Sequence, residues 1–181
     1  DYQRALSILR YQVAVGRLDL EPLLAYTAGQ AVLVSDDPVS GSPEALTEFV
    51  EWARRRIRYE GRTDLRGLLA LLLLTRGAKW KERGDYSTAA ADLRGATEQY
   101  DLLSREVTVG RDQPVWVALR QGFRNLTALY LSLDEPHLAL ICGRRALELG
   151  RRDSQESVEA EDSLELSLQS LEGPPAELSE E

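Results

Sequence analysis

The chain has 181 residues, enough for a continuous core, with a globular balance of 43% hydrophobic and 29% charged residues. Its single cysteine, Cys142, excludes an intrachain disulfide and points to a cytoplasmic or other reducing compartment, and with one histidine, His137, it cannot build a structural zinc site. The net charge of −8 is local: residues 151–181 hold ten acids and two bases, and residues 1–150 are neutral, which weighs against direct nucleic-acid binding.

Taken in order, residues 1–15 read as one helix, with an aromatic-to-alanine step from Tyr2 to Ala5. Gly16 opens a turn, and Leu20 to Val34 form the next helix, with Pro22 in its first turn, where proline is tolerated. The stretch from Ser35 to Gly41 is dense in turn residues. Ser42, Pro43 and Glu44 form a helix-start signal, with Ser42 as the expected cap. That helix runs to about Tyr59 and buries Leu46, Phe49, Val50, Ala53 and Ile57 at helical spacing, before Gly61 stops it. Thr63 and Asp64 open a helix to Arg83 that is apolar nearly all round, so it is expected to be covered on several sides. Helices follow at 87–104, 114–133 and 137–149, with a loop at 107–112 and a turn at 134–136.

No apolar run approaches the 18 residues of a membrane span, and the given residues do not read as a secretory leader. The absence of methionine, even at position 1, suggests that the chain begins inside a longer protein.

The stretch from Gly77 to Ala96 organises these elements. Gly77 stands three residues before Trp80; Gly84 and Asp85 form a turn; Tyr86 is followed by Ala89 and Ala96. Two small residues placed opposite each other let two helices approach closely, and Gly84 supplies the positive φ that ends the first of them. Trp80 and Tyr86 are expected to fill the space around that contact. Phe123, Thr127 and Tyr130, then Ala139 and Ala146, repeat the order of Leu73, Gly77, Trp80, Ala89 and Ala96.

This spacing resembles the tetratricopeptide (TPR) helix-turn-helix repeat. The resemblance is best at 68–104 and 120–150 and looser over the remainder of 1–150. The small residues Gly29, Gly77 and Thr127 lie 48 and 50 positions apart, against a family period of about 34, and Arg76 stands where the family usually carries leucine. The resemblance implies an all-α chain: a right-handed α-solenoid of antiparallel helix hairpins, about seven helices over residues 1–150. Residues 151–181 form an acidic segment in which Leu164, Leu168 and Leu171 share one helical face. A helix at 162–172 could cap the solenoid, or the segment could fold on a partner.

Catalysis finds no support in nucleophile elbows, phosphate loops or paired histidines, and neither a cofactor nor a metal is expected. His137 reads as an exposed first-turn residue and Cys142 as a small buried thiol. The densest charge cluster, Arg54, Arg55, Arg58 and Arg62, is a candidate basic docking patch, set against the ordinary gathering of cations at a helix C-terminus. In the family, the first helices of the hairpins line a concave groove that receives peptides or partner helices. Carried over by position, the groove residues are Tyr26, Gln30, Leu74, Lys81, Gln121, Arg124 and Asn125. The resemblance thus implies a non-enzymatic protein–protein interaction scaffold within a larger protein, its partner another protein or peptide. The alternative is the ligand- or peptide-sensing region of a bacterial transcriptional regulator, to which long helical repeats also belong. The oligomeric state is open at this stage.

Overall fold

The computed structural model describes residues 2–35, 37, 41–106 and 114–151. The described residues form seven α helices and no strand: α1 (Tyr2–Ala14), α2 (Glu21–Val34), α3 (Thr47–Glu60), α4 (Arg66–Glu82), α5 (Tyr86–Glu106), α6 (Pro114–Ser132) and α7 (Pro136–Arg151). Short 3-10 turns at Leu18–Leu20, Pro43–Leu46 and Thr63–Leu65 lead into α2, α3 and α4. No helix among the described residues is long and apolar enough to cross a membrane. The loop expected at 107–112 and the helix expected at 162–172 lie outside the described residues. Backbone contacts divide the chain into two compact units, Asp1–Val107 and Thr108–Glu181, and each is described by itself.

The best-packed part of the first unit is the α4–α5 hairpin. A Cβ built on Gly77 would lie 3.0 Å from Leu93 Cδ2 and 3.2 Å from the Ala89 carbonyl oxygen. The bare glycine therefore sets how closely the two helices approach, and Ala89, Leu93 and Ala96 are fully buried there. Gly67 faces Leu103, and Gly95 faces Leu73, so the start of α4 meets the end of α5 and the two helices run in opposite directions. Gly84 takes φ +82° between them. The Asp85 carboxylate then accepts hydrogen bonds from the Thr88 backbone N–H (3.1 Å) and the Ser87 hydroxyl (2.9 Å), capping α5.

Two expectations for this hairpin change. Tyr86 is 60% exposed; it stands at the mouth of the hairpin, where α4 has already ended at Glu82 and has nothing left to cover it. Arg76, which departs from the leucine usual in the resembled repeat, makes a two-pronged ion pair across the hairpin. Its Nε and Nη2 each lie 2.7 Å from an oxygen of Asp92.

In the second unit, α6 and α7 repeat the turn of α4 and α5 fifty residues on. Asp85 N–H donates to the Trp80 carbonyl at 3.0 Å, and Glu135 N–H to the Tyr130 carbonyl at 3.0 Å. Ala89 N–H reaches back to Asp85, and Ala139 N–H to Glu135. Where the first turn has Gly84, the second has Asp134, at φ +58°. Phe123, Leu126, Thr127, Tyr130, Ala139, Cys142 and Ala146 are buried, which places the thiol in the core.

The helices α1 to α3 are joined differently. α2 packs on α1 and on α4, and a Cβ on Gly29 would meet Leu72 of α4 at 3.3 Å. α3 packs on α4 but scarcely meets α2 backbone to backbone. The turn Pro43–Leu46 stands in the way: Pro43 and Leu46 are buried, and the turn touches both α2 and α4. The helix start expected at Ser42 is therefore this 3-10 turn, without a side-chain cap from Ser42, and α3 proper begins at Thr47. Phe49, Val50 and Ala53 are buried as their spacing predicts, and Ile57 is half-buried.

Candidate functional site

Because α3 is held off α2, a cleft of about 430 Å³ opens between α1, α2 and α3. Val13 of α1, Leu24 of α2, and Phe49 and Trp52 of α3 give it an apolar floor. Arg10, Glu21, Glu48 and Arg55 stand around that floor. On α3, Glu48, Trp52 and Arg55 follow at i, i+4 and i+7, which brings an acid, an aromatic and a base onto one face.

One corner of the cleft is fixed by a network. Glu21 Oε2 accepts from the Trp52 indole N–H at 3.1 Å and from Arg56 Nη2 at 2.7 Å, and Arg56 Nη1 reaches Glu60 at 2.6 Å. The hydrogen bonds it donates to Glu60 and then to Glu21 hold the Arg56 guanidinium above its already high ordinary pKa. Both donors thus converge on one Glu21 oxygen, which holds the Trp52 indole in place. The remaining rim is loose. Arg10 and Glu48 approach only to 3.8 Å, with both side chains well exposed, and Arg55 makes no hydrogen bond or ion pair with any described residue. The site can therefore offer an apolar seat with an unused guanidinium beside it.

The four residues of the expected basic patch have separate surroundings. Arg54 is paired with Glu51, Arg62 is bidentate on Asp64, and Arg58 lies 5.5 Å over the ring of Tyr59. Only Arg55 faces the cleft. Of the expected groove residues, Tyr26 is exposed on α2, with Gln30 half-buried one turn on. Leu23, Tyr26 and Leu33 make an exposed apolar stripe there. By helical spacing that stripe lies opposite Glu21 and Leu24, on the side of α2 away from the cleft. Leu74 is 8% exposed and belongs to the core, because α4 is enclosed by α2, α3 and α5. Lys81 is half-buried near the end of α4. In the second unit, Gln121 donates to the Asn125 side-chain oxygen at 2.9 Å along one face of α6, and Arg124 is half-buried. Among the described residues no cluster of His, Cys, Asp or Glu could hold a metal ion.

Sequence reasoning passed over two signals. Gly16-Arg17-Leu18-Asp19-Leu20 and Gly61-Arg62-Thr63-Asp64-Leu65 are the same motif 45 residues apart. Each has glycine at positive φ, an arginine chelating the aspartate two residues on, and a 3-10 turn leading into the next helix. The order Gly-Arg-x-Asp returns at 150–153 in the sequence. The second signal was Trp52, an aromatic on the otherwise charged face of α3. No family model, no curated protein and no solved structure matches this chain.

Proposed function

We propose that this chain is a non-enzymatic interaction module, a TPR-like solenoid of antiparallel helix hairpins that binds a segment of another protein. The observation that carries this reading is the recurrence of one hairpin turn, hydrogen bond for hydrogen bond, at Trp80–Ala89 and Tyr130–Ala139. Stacked helical hairpins of this kind present long open faces, and such faces bind extended or helical partners. The exposed Leu23–Tyr26–Leu33 stripe of α2 fits the groove-lining role of a first helix, since an apolar stripe rimmed by polar residues marks a contact surface. A photo-crosslinking amino acid at position 26, with the more exposed position 59 of α3 as control, tests it in an extract of the source cell. Protein adducts concentrated at position 26 support the reading. Equal or absent labelling at both positions overturns the groove placement.

A further inference from the structure

The geometry points to a second, specific recognition site: the α1–α2–α3 cleft takes a helical segment of a partner protein that carries a carboxylate one turn from a large apolar side chain. The inference rests on the interaction-module reading and adds to it a place and a ligand chemistry. The apolar seat of Leu24, Phe49 and Trp52 is pre-formed, because the indole is already held by Glu21. A pre-formed concave seat of about 430 Å³ suits one or two inserted side chains.

The charges around the seat are unevenly paired. Glu21 is satisfied by Arg56 and Trp52, and Glu48 is only loosely matched by Arg10. Arg55 is left without a partner among the described residues. A guanidinium with a free planar fork is the group best matched to a carboxylate, which it binds with two parallel hydrogen bonds. Trp52 and Arg55 are one turn apart on α3, about 5 Å along the axis. Side chains at i and i+3 or i+4 of a ligand helix span the same distance, so one helical face can seat its apolar residue on Trp52 and its acid on Arg55 together.

The test selects from a displayed library of helical peptides of about 16 residues, long enough to hold a helix, against the full chain, and measures the winners by fluorescence anisotropy. The expected winners carry Asp or Glu one turn from Leu, Ile or Phe. Their affinity should fall about ten-fold or more with Arg55→Glu, the loss of a charged hydrogen-bonded pair, and markedly with Arg55→Ala. Both substitutions replace an exposed side chain, and circular dichroism checks that the fold is intact. Tyr86→Ser, at the exposed mouth of the α4–α5 hairpin, should leave binding unchanged, and Leu23→Ser with Tyr26→Ser separately removes the α2 stripe. Winners that lack an acid, or that ignore Arg55→Glu, overturn the cleft assignment. If those winners are instead lost with the Leu23 and Tyr26 substitutions, the interaction module stands and only the cleft falls. A library that yields no binder sinks both.

Discussion

Removing Asp92 should unfold the first unit more readily than any change to its exposed ion pairs. The Arg76 and Asp92 side chains are 11% and 6% exposed, and two 2.7 Å hydrogen bonds join them across the α4–α5 hairpin. Asp92→Ala leaves the guanidinium in that low-dielectric seam with only the Thr47 hydroxyl, 3.5 Å from Nη1. Breaking one side of a buried pair costs about 3–5 kcal/mol. The lower end applies here, because the long Arg76 stem can swing its head toward water. For a unit of this size, a loss of about 3 kcal/mol lowers the thermal midpoint by more than about 10 °C. The assay is urea denaturation of the full chain, with hydrogen exchange of α4 and α5 peptides locating the loss. Asp64→Ala, which breaks the exposed Arg62–Asp64 pair, is the control and should cost about 1 kcal/mol or less. Arg76→Leu combined with Asp92→Leu should recover most of the stability, since apolar replacement of a whole buried pair is often neutral or better. If Asp92→Ala costs no more than Asp64→Ala, the ion pair does not hold the hairpin and the argument fails.

Other substitutions probe the same packing. Gly77→Ala should destabilise by about 1–3 kcal/mol in the same denaturation assay, because overpacking against Leu93 outweighs alanine's better helix propensity. Thr75 is buried with its hydroxyl unpaired, whereas Thr127 donates to the Phe123 carbonyl at 2.9 Å. Thr75→Val should therefore raise stability by about 1 kcal/mol and Thr127→Val should not, as a pair of urea titrations will show. Asp134→Gly should stabilise the second turn by up to about 1 kcal/mol and Gly84→Ala should weaken the first by a similar amount, since both positions hold positive φ; hydrogen exchange at each turn reads the difference. The Asp85 carboxylate is held below its ordinary pKa by hydrogen bonds from Thr88, side chain before backbone, and then from Ser87. A depressed folded pKa stabilises above the unfolded value, near pH 4, and that contribution is lost as pH falls through the folded one. The midpoint difference between wild type and Asp85→Asn should therefore shrink on acidification, and a difference independent of pH would count against the cap.

The α4–α5 hairpin was legible because its constraints are local and leave marks. Close approach demands small residues at 77, 89 and 96, and the reversal demands positive φ at 84. The all-helical class followed from apolar spacing in the same way. The Arg76–Asp92 pair left no such mark, since two residues sixteen apart meet only after the hairpin register is set. The splay of α3 was equally hidden. Pro43 to Leu46 reads as a helix start, and only three-dimensional packing shows that it is a buried turn lying against α2 and α4. For that reason Arg55 appeared as one of a basic run, when its neighbours are each occupied by local partners and it alone turns to the cleft.

The turn Pro43–Leu46 acts as a spacer with its own setting. It carries two buried side chains, packs on both α2 and α4, and is tied to the end of α4 by the Glu44–Arg83 ion pair. Changing the bulk of Leu46 would thus act on the setting of α3 and, with it, on the width of the cleft. A lineage could retune what this face accepts through one position of a short connector, without rebuilding a single helix.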